Sequence, residues 1–113
     1  MLAFFLVADD IGDPLELLRR MPVEQLQLRE AGRIDVRPFH ELETYWDELR
    51  SLGIAANYFD DFRVAGGQVR EALLLLERFT PPSTLSGAEA YTKIREILRL
   101  ASDKNTGLFA ICD

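Results

Sequence analysis

The sequence predicts an α+β domain in which a small sheet, containing the N- and C-terminal strands, packs against about four or five helices. Short apolar segments lie near both ends of the chain, and amphipathic patterns with a helical period occupy the region between them. The chain has 113 residues, of which 48% are hydrophobic and 28% charged. This length and composition fit a single domain, residues 1–113, that buries its own core.

The first strand is predicted at "LAFFLVA", because this segment is apolar on both faces and ends at two aspartates. A helix is expected to follow from Asp13, with Pro14 in its first turn, and to end near Met21 because Pro22 follows. Residues 22–37 are ambiguous. We favour a short helix that stops at Gly32, although "QLQLRE" could also pair with "RIDVR" as a hairpin.

The alternation in "RIDVR" predicts a half-exposed strand over residues 33–37, closed by Pro38. Next, "HELETYWDELRSLG" has the pattern of one continuous amphipathic helix that ends at Gly53. Its apolar positions are Leu42, Tyr45, Trp46 and Leu49, with Trp46 at the edge of the stripe. Its acidic side chains lie off that stripe: Glu41, Glu43, Asp47 and Glu48.

A second amphipathic pattern, "GGQVREALLLLERF", predicts the central helix of the domain, with Leu74 and Leu75 widening its buried arc. Pro81 and Pro82 end this helix. In "SGAE", Ser86 and Glu89 have the spacing of a capping box at the start of the next helix. The closing segment "GLFAIC" is predicted to be a strand and a central neighbour of the first one.

The segment "NYFDDFRVAGGQV" combines rings and acids in a predicted loop before the central helix. Adjacent residues such as Asp60 and Asp61 point in different directions, so they do not favour a catalytic carboxylate pair. Asp61 could instead cap the turn before the helix. We interpret Tyr58, Phe59, Asp60 and Asp61 as candidate partner contacts, because rings anchor and carboxylates pair at interfaces with basic surfaces. The acidic helix residues Glu41, Glu43, Asp47 and Glu48 join this candidate surface.

The candidates for chemistry are few. The chain has one histidine, His40, and one cysteine, Cys112, which are too few for a catalytic triad or a zinc site. Gly66 and Gly67 lack the spacing of a phosphate loop. We therefore expect no catalytic residue, no metal and no cofactor.

Two alternatives stay open at this point. The first is a small enzyme or metal-dependent protein that uses Asp9 and Asp10 together with Asp60 and Asp61, which requires their two loops to meet at one sheet edge. The second is a structural subunit that forms a homo-oligomer through an apolar helix face.

The charge distribution is uneven. Residues 1–62 carry 13 acidic and 6 basic side chains, a net charge of −7, whereas residues 63–113 carry a net charge of +1. Such a field repels nucleic acid and anionic membranes and attracts basic partners. No apolar run reaches the roughly 20 residues of a membrane span, and the first residues lack the features of a signal peptide. We therefore expect a cytoplasmic location.

The segment "ELETYWDELRSLGIAANYFDDFRVAGGQV", with the closing "TGLFAICD", resembles the small bacterial immunity-type proteins of polymorphic toxin systems, including those of contact-dependent inhibition. A looser likeness connects it with the YfbM-like domains of unknown function. The first resemblance implies a non-enzymatic protein that binds and neutralises one cognate toxin, often a nuclease with a basic cleft. The resemblance does not identify contact residues in this chain, because the contact surfaces differ among these proteins.

Overall fold

A computed structural model of the protein describes residues 1–9 and 29–112 and confirms the α+β class. The described residues form four strands and four helices: β1 (Leu2–Val7), β2 (Arg29–Ile34), α1 (Val36–Glu41), α2 (Glu43–Ser51), β3 (Phe62–Val64), α3 (Gly66–Arg78), α4 (Leu85–Asp103) and β4 (Gly107–Cys112). The helix predicted over residues 13–21 lies outside the described residues.

The four strands form one antiparallel sheet in the order β2-β1-β4-β3. As predicted, the first and last strands are its central pair, with Leu2 opposite Cys112 and Val7 opposite Gly107. Alternate residues such as Leu2, Phe4 and Leu108 face the helices and join the main hydrophobic core.

Strand β2 corrects two predictions. The helix favoured up to Gly32 is wrong over residues 29–32, and residues 22–28 lie outside the described part of the chain. The strand predicted over residues 33–37 instead covers residues 29–34. Phe4 lies opposite Gly32 and Phe5 opposite Glu30, so Ala31 is an extra residue, a β-bulge that shifts the register. The helical interpretation failed because this pairing is made with a distant strand.

Helix α1 begins where the sequence predicted the end of a strand. Asp35 is extended, and its carbonyl accepts the first helical hydrogen bond from the backbone N–H of Phe39 at 3.0 Å. Pro38 therefore lies in the first helical turn. Backbone N–H groups in this turn have no carbonyl partner within the helix, so the N–H group that proline lacks costs no helical hydrogen bond.

The helix predicted as continuous is divided at Leu42. The carbonyl of Phe39 accepts hydrogen bonds from the backbone N–H of Leu42 at 3.1 Å and from the indole N–H of Trp46 at 2.7 Å. The Trp46 ring also stacks on Phe39, with ring centroids 4.4 Å apart and an interplanar angle of 9°. The Trp46 indole thus occupies the Phe39 carbonyl, which in a continuous helix would accept a backbone N–H one turn later. Trp46 is buried in the core, and not at the edge of the apolar stripe as predicted.

Helix α4, not α3, is the central helix, because it contacts α1, α3, β2 and β4. It begins after Thr84, whose hydroxyl accepts the backbone N–H of Gly87 at 3.0 Å, so the capping box predicted at Ser86 and Glu89 is wrong. On α3, Leu74 is half-exposed rather than part of the buried arc. The Tyr45 hydroxyl donates a hydrogen bond to the carbonyl of Ala72 at 2.8 Å and so connects α2 to α3. Burial raises the pKa of this hydroxyl.

Strand β3 is a short element that the sequence analysis treated as loop. Its Phe62 and Val64 are buried on the core face beside β4.

A notch formed by Gly66 and Gly107 holds the Asp9 carboxylate, which accepts a hydrogen bond from the backbone N–H of Gly66 at 2.8 Å. A β-carbon on Gly107 would lie 2.6 Å from the carbonyl oxygen of Val64 and 3.0 Å from Asp9 Oδ1.

This notch generates a stability prediction. We expect Gly107→Ala to lower the free energy of unfolding by about 1–3 kcal/mol, because the new methyl group overpacks against backbone that cannot yield. Urea denaturation measures the change.

The matched control is Gly67→Ala, where a β-carbon meets nothing within 4 Å. In this helical position alanine should leave stability unchanged or raise it by up to about 1 kcal/mol. Equal stabilities of the two variants would contradict the close approach at Gly107.

Candidate partner-binding surface

The segment that combines rings and acids forms an ordered turn. The Asn57 side chain accepts the backbone N–H of Phe59 at 2.9 Å through Oδ1 and donates to Asp60 Oδ2 at 3.1 Å through Nδ2. Asparagine commonly stabilises a turn by bonding the backbone two residues on. As a result Phe59 is directed to solvent, with 65% of its surface exposed, and Asp60 is exposed beside it.

Two of the three rings in this segment belong to the core. Phe62 is 5% exposed and packs edge-on against Phe4 at 6.0 Å. Tyr58 is 8% exposed, and its ring centroid lies 5.5 Å from that of Phe39. Burial raises the pKa of Tyr58, with smaller contributions from the charges of Asp35 and Cys112. Tyr58 therefore supports the exposed Phe59 ring, 5.2 Å away, from below.

Asp61 has an internal role in the sheet. Its Oδ1 accepts the backbone N–H of Cys112 at 2.6 Å. Because β3 is only three residues long, the end of β4 extends past its last paired residue, and the carboxylate takes the place of a strand partner. Asp61 thus caps the end of a strand, which corrects the interpretation that it caps the turn before the helix.

His40 and Arg50 connect the turn to the acidic helix. The His40 ring lies 6.3 Å from Phe59, and its Nδ1 is 3.6 Å from Glu43 Oε2. Arg50 donates to Glu43 at 2.9 Å and to Asp47 at 2.6 Å through Nη1. Its Nε donates to the carbonyl of Ala56 at 2.8 Å, just before the turn. The hydrogen bond from Arg50 is the main cause of the lowered pKa of Glu43.

These contacts define a continuous patch, which we name the aromatic–acidic surface: His40, Glu43, Asp47, Arg50, Phe59 and Asp60. Glu43 and Asp47 share one guanidinium, so this group of three carries a net charge of −1. Within the described part of the chain, Asp60 has no ion pair. The patch therefore combines one exposed ring with a negative rim.

The other predicted contact residues lie apart from this network. Glu41 accepts a hydrogen bond from the Thr84 hydroxyl at 3.3 Å and so faces the start of α4. Glu48 is exposed one helical turn after Thr44. His40 and Arg50 belong to the patch, although neither was predicted as a contact residue. Helical spacing could have indicated both, since His40 precedes Glu43 by three residues and Arg50 follows Asp47 by three.

The structure does not bring together the aspartates of the metal-dependent alternative. Asp9 lies at the Gly107 end of β4 and Asp61 at its Cys112 end, about 17 Å apart along a six-residue strand. Both carboxylates accept backbone hydrogen bonds, and Asp10 lies outside the described residues. Within residues 1–9 and 29–112 no cluster of three or more histidine, cysteine, aspartate or glutamate side chains could hold a metal ion.

Comparisons with family models, with curated proteins and with solved structures find no match to this chain. No helix among the residues that the structure describes is long and apolar enough to cross a membrane.

Arg50 is the residue that the aromatic–acidic surface depends on most. We expect Arg50→Met to lower the free energy of unfolding by about 1–2 kcal/mol, because it removes a charged donor from the Ala56 carbonyl and the guanidinium that Glu43 and Asp47 share. The shift of the urea midpoint at constant slope measures this loss.

Asp47→Asn is the control, since it weakens only an exposed ion pair and should change stability by no more than about 0.5 kcal/mol. If Arg50→Met were as mild as this control, Arg50 would not hold the turn to α2.

Proposed function

We propose that the protein is an immunity protein that binds a cognate bacterial toxin domain of basic surface, such as a nuclease, and blocks its active site or its access to substrate. The exposed Phe59 carries the proposal. An ordered turn holds this ring in solvent beside Asp60. The packing of the core does not explain why a large apolar side chain is exposed here. Aromatic residues at the centre of an interface supply much of its binding energy.

The charges of the surface suit a basic partner. Asp60 follows Phe59 in the turn, Glu43 contacts the His40 ring that lies beside Phe59, and the net charge of the chain is −6. Electrostatic attraction accelerates the encounter with a positive surface. Once the Phe59 ring is buried in the interface, it slows dissociation of the complex. In this proposal the protein acts in the cytoplasm, uses no cofactor and performs no catalysis.

The test is a double variant of the exposed pair. Phe59→Ala with Asp60→Lys should weaken toxin binding by about thirtyfold or more, since loss of an interface anchor costs about 2 kcal/mol or more. The toxin is first identified by capture from the encoding organism at low salt. Its expression alone must arrest growth, and co-expression of the wild-type protein must restore it.

Glu96→Lys provides the matched control, because it makes a similar charge change on the exposed side of α4. This variant should protect the cells, whereas the double variant should not. A captured partner that leaves growth unaffected, or full protection by the double variant with its fold intact, would contradict the proposal.

A second candidate function, a subunit of a homo-oligomer, is favoured by a separate observation. Leu52 and Leu74 are 43% and 50% exposed, and together with Leu75 they line a shallow depression between the end of α2 and the outer side of α3. Exposed apolar patches of this kind commonly mark interfaces.

Light scattering after size separation tests this candidate. A homo-oligomer would have at least twice the monomer mass of 12.9 kDa, and Leu74→Glu would return it to the monomer. Phe59→Ala, the control on the other surface, should leave the mass unchanged. A monomeric wild-type protein at high concentration would rule this candidate out.

A further inference from the structure

A second concave surface lies outside the aromatic–acidic surface. The α1–α2 junction, the C-terminal end of α3 and the segment before α4 enclose a cleft of about 300 Å³. The partly buried Phe79 and Pro82 supply its accessible apolar lining, with Tyr45, Leu76 and Tyr91 buried behind them. Glu41 and Thr44 supply polar groups. This volume is at the lower limit of small-molecule sites, so the cleft fits a single side chain.

Glu41 gives the cleft its chemical character. Glu41 is partly buried, and its carboxylate accepts an exposed hydrogen bond from a neutral group, the Thr84 hydroxyl. Among the described residues no cation lies within ion-pair distance of it. Glu43, two residues later, differs in this respect because Arg50 pairs with it. A carboxylate that lines an apolar cleft and has no internal cation favours the binding of an external one.

One internal guanidinium is close to this region. Arg95 lies 5.7 Å from the centroid of the Tyr91 ring, yet it forms no ion pair with Glu41 within the described residues. Tyr45 cannot supply a competing donor, because its hydroxyl hydrogen bonds the Ala72 carbonyl. The carboxylate of Glu41 is therefore available to a group from outside.

We propose that this cleft binds one arginine or lysine side chain of the partner protein. The methylene stem of such a side chain packs against the partly exposed Phe79 and Pro82, and its charged head meets Glu41. An apolar side chain would desolvate Glu41 without compensation, and an acidic one would be repelled. The inference rests on the proposed function, in which the partner is basic, and adds a second anchor beside Phe59.

The experiment uses blocked amino acids as probes and needs no toxin. Amide resonances of the full chain are followed by NMR while N-acetylarginine methylamide, N-acetyllysine methylamide or the uncharged N-acetylnorleucine methylamide is added. We expect arginine or lysine to shift the amides of Thr44, Thr80 and Tyr91 with millimolar dissociation constants. Norleucine should bind at least tenfold more weakly.

Variants then assign the effect to the carboxylate. Glu41→Gln should weaken the binding of the cationic probe at least tenfold, whereas Glu48→Gln, an exposed acid on α2 outside the cleft, should not change it. The same spectra report whether each variant is folded, and the comparison of probes on the wild-type protein needs no variant.

Equal binding of norleucine and the cationic probes, or no shifts at the cleft, would overturn the proposal. So would full binding by Glu41→Gln. Because these outcomes are independent of growth protection, a failure of the cleft is distinguishable from a failure of the immunity function.

Discussion

The pairing of β1 with β4 is the constraint on which the rest of the structure depends. It joins residues 2–7 to residues 107–112 in continuous register, so the sheet cannot form until both segments meet. Closing a loop of about 100 residues costs of the order of 4 kcal/mol in chain entropy, which apolar burial at the central pair must offset. In the sheet, β2 pairs with the outer edge of β1 and β3 with the outer edge of β4. The two ends of β4 hold Asp9 and Asp61, which are consequently structural carboxylates.

The candidate surface depends on a second, local constraint, the division of the helix at Leu42. Because the Trp46 indole bonds the Phe39 carbonyl and its ring stacks on Phe39, α1 ends before α2 begins. This arrangement brings His40 next to the rings of Tyr58 and Phe59. It also separates the environments of Glu41 and Glu43, one near Thr84 and the other beside Arg50. The surface is thus built on the aromatic core beneath it.

The elements that the sequence predicted correctly are those whose own pattern determines them. Strands β1 and β4 are strongly apolar, and α3 and α4 repeat their apolar residues with a helical period. The failures occur where a distant partner decides: Gly32 pairs with Phe4 in a bulged strand, and β3 exists because β4 lies beside it. For the surface, composition predicted an aromatic and acidic patch. It could not distinguish exposed Phe59 from buried Tyr58, because that choice depends on packing against Phe39.

The internal partners of each carboxylate indicate which acidic residues can contact another protein, whereas the total acidity of the chain does not. Asp9 and Asp61 accept backbone hydrogen bonds, and Glu43 and Asp47 share the Arg50 guanidinium. These groups contribute to the long-range field that would attract the proposed basic partner, but removing them from their internal partners to contact another protein carries a free-energy cost. Carboxylates whose only internal partner is a neutral, exposed side chain lose less when they contact another protein. Asp60 and Glu41 are of this kind, and each lies beside aromatic rings that a partner side chain can cover. Selective recognition of a basic protein would therefore be concentrated at these two positions rather than spread over the acidic half of the sequence.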